Sequence, residues 1–105
     1  MSKSKGKDEV VIAAAWYRPS QWRRLKEISE DAAEMEGSYE EWKAHGVRAI
    51  NRARTLGRRV EKVDVDVEEL LAWCGQMDLP VNGESRARYA ATKLAEKYGE
   101  GEGQR

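Results

Sequence analysis

The sequence predicts an α/β fold, with α+β as the close alternative, in which a small two-stranded sheet is covered by four helices. Two runs have the length and composition of strands: residues 10–16 are continuously apolar, and residues 60–65 are rich in β-branched side chains and partly alternate with charged ones. Each run is followed by two segments whose apolar residues recur every three or four positions, as on one face of a helix. The predicted order is therefore β-α-α-β-α-α, and the direction in which the two strands pair stays open.

The first strand leads into the first helix through a proline. Pro19 suits the first turn of a helix and keeps Arg18 in an extended conformation. The apolar spacing that follows predicts one continuous helix that ends at Gly37. Its expected buried face consists of Trp22, Leu25, Ile28, Ala32 and Met35.

A capping box predicts where the second helix begins. Ser38 supplies a hydroxyl at the cap position and Glu41 a carboxylate three residues later, while Gly57 is the expected C-cap. Gly46 within this helix costs roughly 1 kcal/mol of helix propensity, so we expect another element to pack closely against it. The expected buried face consists of Tyr39, Trp42, Gly46, Ala49, Ile50, Ala53 and Leu56.

Two further caps predict the third and fourth helices. Asp66 and Glu69 form a second capping box, and Asn82 caps the last helix after the break at residues 79–81. The expected inward residues are Leu70, Leu71, Cys74 and Met77 in the third helix, and Ala87, Ala90, Ala91, Leu94 and Tyr98 in the fourth. Residues 1–9 and 99–105 are rich in glycine and charge and are predicted to be flexible tails, which leaves residues 10–98 as a single globular domain.

Composition narrows the function classes. The 105 residues include 19 basic and 19 acidic side chains, so the net charge does not indicate nonspecific electrostatic binding to nucleic acid or to an anionic membrane. The single cysteine excludes an internal disulfide framework, and no apolar run has the length of a transmembrane helix. A cytoplasmic protein that is not bound to membranes is therefore expected.

Five segments carry a resemblance to a group of known sequences. They are Ala15-Trp16-Tyr17-Arg18-Pro19, Gln21-Trp22, Ser38-Tyr39-Glu40-Glu41-Trp42, Val63-Asp64-Val65-Asp66-Val67-Glu68-Glu69-Leu70-Leu71-Ala72-Trp73-Cys74 and Leu79-Pro80-Val81. The chain resembles small uncharacterised bacterial proteins, usually described as hypothetical proteins or as a domain of unknown function. The resemblance spans nearly the whole predicted fold, and it implies no activity and no catalytic residues.

A candidate polar site follows the carboxyl ends of the two predicted strands. Arg18 and Gln21 follow the first strand, and Asp64 and Asp66 lie at the end of the second. In a parallel sheet they would meet at one edge, where α/β proteins bind ligands, and could hold a divalent cation, a cationic ligand or a polar substrate. The favoured interpretation is structural: Asp66 caps a helix, Asp64 is solvated, and Arg18 pairs with one of them.

Groups suited to catalysis are scarce, whereas aromatic residues are plentiful. His45 is the only histidine, Cys74 is expected to be a buried and inert thiol, and neither a zinc-ligand spacing nor a phosphate-binding loop is present. No cofactor and no metal are predicted. The leading hypothesis is a small, non-enzymatic protein-binding or regulatory module that contacts an unknown protein partner or a second copy of itself. Core packing is favoured for most tryptophans, but a partner surface would involve Arg18 together with Trp22, Trp73 and Tyr89.

Opposite charges are concentrated in neighbouring blocks. Residues 27–42 contain seven acidic residues and no basic one, whereas residues 43–60 contain six basic residues and no acidic one. The second function hypothesis is therefore nucleic-acid binding through the basic helix at residues 43–59. Its candidate patch consists of Arg48, Arg52, Arg54, Arg58 and Arg59. The favoured alternative is that this helix pairs internally with the acidic first helix.

Overall fold

A computed structural model of the chain describes residues 10–103, with side chains as far as residue 98, and it confirms the α/β class. The two strands are β1, Val11–Trp16, and β2, Arg59–Asp64. The four α-helices are α1, Trp22–Ile28; α2, Tyr39–Thr55; α3, Val67–Gln76; and α4, Gly83–Gly103. Short 3-10 turns lie at Pro19–Gln21 and Ala32–Glu34. The predicted N-terminal tail lies outside the described residues.

The two strands pair in parallel. The register runs from Val11 opposite Arg59 to Trp16 opposite Asp64. Helix α2 packs mainly against β2, and α4 packs mainly against β1. A Cβ atom added at Gly46 of α2 would lie only 3.0 Å from the ring of Trp16, which confirms the close packing predicted at this glycine. Because strand side chains alternate, Ile12, Ala14 and Trp16 lie on the α2 side of the sheet.

The prediction of one helix from Pro19 to Gly37 is wrong. Helix α1 ends at Ile28, and Ser29 has an extended backbone, with φ −91° and ψ 126°. The Ser29 hydroxyl donates to the Leu25 carbonyl at 2.7 Å, and the Glu30 N–H donates to the carbonyl of Val81 at 2.8 Å. A side-chain bond to the backbone and a bond to a distant segment thus replace the helical ladder.

Helix α2 begins as predicted but buries less of its surface than predicted. The Ser38 hydroxyl accepts from the Glu41 N–H at 3.1 Å, while the Glu41 carboxylate accepts from the N–H of Gly37. Ile50 is the one buried residue of this helix, and both Ala49 and Leu56 are exposed, contrary to expectation. The physical reason is the narrow sheet, because two strands support only a thin stripe of a helix that is about 25 Å long.

The caps of α3 and α4 are confirmed, but both apolar faces differ from those predicted. Asp66 accepts from the N–H groups of Glu68 and Glu69, and Asn82 accepts from that of Ser85. The buried side chains of α4 are Ser85, Tyr89, Ala90 and Leu94. The residues expected inside but found exposed are Met77, Ala87, Ala91 and Tyr98. The face rotates because a Tyr89 ring in contact with Trp73 buries more apolar area than an alanine would. Helix α4 also continues to Gly103, past the end predicted at Gly99.

The core lies between the helices at the carboxyl ends of the strands. Its most completely buried side chains are Leu25, Leu70, Val67 and Cys74, so the prediction of a buried thiol is confirmed. Beside them lies a group of contacting rings, Trp16, Tyr17, Trp22, Tyr39 and Trp42. Burial raises the pKa of Tyr17 to about 12, because the charged phenolate is disfavoured in the core.

One partly buried ion pair ties the segment after α1 to the start of α4. The Arg86 guanidinium donates to both carboxylate oxygens of Asp31, at 2.9 and 3.1 Å, and also to the Ser29 hydroxyl at 3.0 Å. Asp31 accepts in addition from the N–H of Gly83 at 3.0 Å. The hydrogen bond from Arg86 is the main reason why the pKa of Asp31 is lowered.

We expect Asp31→Asn to destabilise the protein by about 1–3 kcal/mol at pH 7, because hydrogen bonds to a charged group are lost. A lowered carboxyl pKa contributes stability above the ordinary value of 3.8, and this contribution disappears as the pH falls through the lowered pKa. The difference between wild type and variant should therefore shrink below about pH 4. Urea unfolding at pH 7 and at pH 3 measures it, and a constant difference would contradict the assignment.

Candidate binding groove

The predicted polar site is not assembled. The ends of the strands do meet, since the Val65 N–H donates to the Trp16 carbonyl at 3.0 Å. However, Gln21 accepts from the backbone N–H of Arg18, and Asp66 is occupied as the cap of α3. Asp64 is exposed. Among the described residues, no hydrogen bond or ion pair joins the Arg18 guanidinium to Asp64 or Asp66, so the pairing expected in the structural interpretation is absent as well.

The aromatic partner surface is also wrong. Trp22 is only 7% exposed and Tyr89 only 4%, and both belong to the hydrophobic core. Trp73 is half-buried and packs edge-on against Tyr89, with ring centroids 5.4 Å apart. Trp22 and Tyr89 therefore stabilise the core and are not available to a partner.

The predicted basic patch separates into two groups. Arg54 donates to the carbonyl of Val60 at 2.9 Å, and Arg59 lies 3.8 Å from the Glu61 carboxylate, so both arginines contact residues of β2. Arg48, Arg52 and Arg58 instead line one concavity beside α2, here called the α2 groove. Its volume is about 530 Å³, within the range of small-ligand and peptide-side-chain sites.

The rest of the α2 groove is aliphatic. Ile12 of β1 forms one side, and Ala49, Ala53 and Leu56 contribute from α2 and the residue after it. Leu56 is 69% exposed, which is unusual for a leucine that the sequence places on an apolar face. Because α2 packs mainly against β2, Ile12 of β1 stays partly exposed on the α2 side of the sheet.

The groove is electrically positive. Its three guanidiniums form no ion pair or hydrogen bond with any part of the chain that the structure describes. His45 lines the same groove, and its Nδ1 lies 2.8 Å from the Glu36 carboxylate. That hydrogen bond is the main reason why the pKa of Glu36 is lowered, so this carboxylate stays charged.

The predicted pairing between the acidic segment and the basic helix is therefore wrong, apart from the contact between His45 and Glu36. The other acids of residues 27–36 that have partners bind elsewhere: Glu27 pairs with Arg24, Asp31 with Arg86, and Glu30 accepts from Asn82. Ending α1 at Ile28 takes these acids off a common helical face, so they cannot line up beside α2.

Sequence reasoning found the three arginines of the groove but missed its aliphatic residues. The sequence predicts Ile12 in a buried strand and Leu56 on the inner face of α2. A signal for Leu56 was present, since it directly precedes Gly57, which ends α2 with φ 84° and leads away from the helix. The exposure of Ile12 depends on the width of the sheet, which local sequence does not report.

Two other site classes find no support in the described residues. Within residues 10–98 there is no group of three or more His, Cys, Asp or Glu side chains arranged to hold a metal ion. No helix in the described part of the chain is both long enough and apolar enough to cross a membrane.

Comparison with known proteins adds no relative. No protein-family model matches this chain, and neither a curated protein nor a solved structure matches it. The resemblance to small uncharacterised bacterial proteins stays a prediction.

Proposed function

We propose that this protein is a non-enzymatic binding module that holds an acidic protein partner in the α2 groove. One observation carries the proposal: Arg48, Arg52 and Arg58 surround an aliphatic concavity without any acidic partner from the described chain. Other arginines of the described chain bind carboxylates within the fold, as Arg86 does with Asp31 and Arg24 with Glu68. Unpaired guanidiniums are the groups that recognise carboxylates in two-pronged contacts.

The aliphatic residues support a partner that brings apolar groups as well as charge. Leu56 and Ile12 expose carbon surface directly beside the arginines. Burying that surface supplies affinity, while the complementary charge supplies specificity and a faster encounter. A protein segment that mixes acidic and aliphatic side chains satisfies both requirements.

The same residues argue against nucleic acid as the partner. Single-stranded nucleic acids bind mainly by stacking bases on aromatic rings, and no tryptophan, tyrosine or phenylalanine is among the residues that line the α2 groove. The ring of Trp16, which lies on the same face of β1 as Ile12, is covered by Gly46 and Trp42 and by the Lys62 ammonium 4.3 Å from its centroid. Three arginines also neutralise few phosphates, and the aliphatic surface would stay exposed to water.

Binding of defined fluorescent probes tests the proposal. The probes are a peptide alternating glutamate and valine, a single-stranded DNA and a duplex DNA, each titrated by anisotropy at low and at physiological salt. We expect the peptide to bind more tightly than either DNA, and Arg52→Glu to weaken it by about tenfold or more. The matched control is Arg88→Glu, an exposed arginine of α4 outside the groove, which should leave the affinity within about twofold.

Two results would contradict the proposal. Preferential binding of DNA, with a steep salt dependence and no effect of Leu56→Ser, would assign the groove to nucleic acid. Peptide binding that is equally sensitive to Arg52→Glu and Arg88→Glu would show only a nonspecific response to charge.

A further inference from the structure

The two edges of the sheet differ in whether their outward backbone groups have hydrogen-bond partners. The bond from the Val65 N–H to the Trp16 carbonyl fixes which residues of β1 point towards β2, namely Trp16, Ala14 and Ile12. The N–H and C=O groups of Val11, Ala13 and Ala15 therefore point to the other edge. Within the described chain those outward groups have no hydrogen-bond partner.

The outer edge of β2 is protected by a side chain. By the same alternation, Val60, Lys62 and Asp64 direct their backbone groups away from β1. The Arg54 guanidinium donates to the Val60 carbonyl, 2.9 Å away, and so occupies part of that edge. Proteins commonly block an exposed edge with a charged side chain, and here only one of the two edges has such a block among the described residues.

We propose that the partner binds as an extended segment that adds a third strand to the outer edge of β1. This inference rests on the proposed function, because it concerns how the occupant of the α2 groove is held. Ile12 belongs both to β1 and to the groove lining, so the unpaired strand edge and the arginine-lined concavity are adjacent. The occupant is a protein segment with an acidic residue at every second position.

The period of two follows from strand geometry. An added strand lies about 4.8 Å from its neighbour, and its alternate side chains share the faces of the existing sheet. Those on the same face as Ile12 point to the α2 side, where Arg48 and Arg52 lie. Acidic side chains at these positions meet unpaired guanidiniums, while the outward N–H and C=O groups of Val11, Ala13 and Ala15 gain partners.

A second copy of this chain is a less suitable third strand. Antiparallel pairing of β1 with β1 places both α2 helices on the same face of a continuous sheet. The unpaired arginines of the two copies would then lie on that shared face, and like charges there oppose association. Charge complementarity therefore favours an acidic partner over self-pairing.

The experiment compares the glutamate–valine peptide with the same peptide N-methylated at the residues whose N–H would face β1. N-methylation removes main-chain hydrogen bonds without changing the side chains or the protein. We expect the methylated peptide to bind at least about tenfold more weakly. On the protein, Ala13→Pro removes one outward N–H and should weaken the unmodified peptide to a similar extent, whereas Ala13→Ser keeps the N–H and should not. Circular dichroism confirms that both variants are folded.

The outcomes separate the two proposals. If both peptides bind equally and Arg52→Glu still weakens them, strand addition is overturned while the proposed function stands. If no peptide binds to the wild-type protein, the proposed function fails, and the inference fails with it. If dimers form without peptide and protect the amides of Ala13 and Ala15 from exchange, β1 pairs with a second copy and the acidic-strand inference is overturned.

Discussion

Replacing Trp22 with alanine is expected to lower the free energy of unfolding by about 3–5 kcal/mol. Trp22 is 7% exposed and contacts Tyr39 and Trp42, with ring centroids 6.3 and 5.7 Å apart. Truncation removes the apolar area of a whole indole and leaves a cavity beside the fully buried Leu25. Domains of this size are stable by only about 5–15 kcal/mol, so this loss removes a large share of the free energy of unfolding.

Urea unfolding followed by circular dichroism measures the effect of Trp22→Ala. Trp22→Phe is the informative control, because Nε1 of Trp22 is buried without a hydrogen-bond partner in the described chain. Phenylalanine removes that unpaired N–H and keeps most of the ring surface, so its cost should stay below about 2 kcal/mol. A Trp22→Ala protein that is as stable as wild type but impaired in peptide binding would return Trp22 to a partner surface and contradict its place in the core.

The second large expected effect is at Leu70 of α3. Its side chain is 0% exposed and lies in the same cluster as Leu25, Val67 and Cys74. Leu70→Ala should cost about 2–5 kcal/mol, the sum of lost transfer free energy and the cavity that the rigid neighbours leave unfilled. The cost should fall in the upper part of that range if the surrounding rings hold their positions.

Leu70→Met and Leu56→Ala are the matched controls for this prediction. Methionine nearly conserves the volume of leucine and should cost less than about 1.5 kcal/mol at position 70. Leu56 is the exposed leucine of the groove, so Leu56→Ala should change stability by no more than about 0.5 kcal/mol. Equal losses for Leu70→Ala and Leu56→Ala in thermal or urea unfolding would contradict the burial of Leu70.

Much of the fold could be predicted because its boundaries are encoded locally. Asp66 and Asn82 cap the helices that follow them, and Gly57 ends α2 with a positive φ. Each of these assignments depends on hydrogen bonds or backbone angles within three or four residues. The β-branched runs were identified for the same reason, since strand preference and run length are visible in the sequence.

The predictions that were wrong concern features fixed by contacts between residues far apart in the sequence. Helix α1 stops at Ile28 because Glu30 bonds to Val81, some fifty positions away, and no local pattern signals that bond. The buried face of α4 differs from the predicted one because Tyr89 packs against Trp73. Both differences depend on contacts between residues far apart in the sequence. Such contacts override helical periodicity when they bury a large ring or provide a partner for a buried backbone group.

The candidate site was predictable only in part, for a related reason. The sequence shows a block of arginines but not which of them bind within the fold. Arg54 donates to the backbone of β2, whereas Arg48 and Arg52 line the groove. The predicted site of Arg18 with Asp64 and Asp66 failed because cap hydrogen bonds within the chain satisfied Asp66 locally. The prediction that the ends of the two strands meet is confirmed, but the side chains of Arg18, Asp64 and Asp66 do not form a site there.

The central claim is that the α2 groove and the adjacent edge of β1 form the binding site. Backbone amide shifts of the ¹⁵N-labelled protein, followed while the glutamate–valine peptide is added, test it most directly. We expect saturable shifts confined to residues 11–15 of β1 and residues 45–58 around the groove, and we expect Arg52→Glu to abolish them. Shifts centred instead on Trp73 and Tyr89, or spread evenly over every basic region, would contradict it.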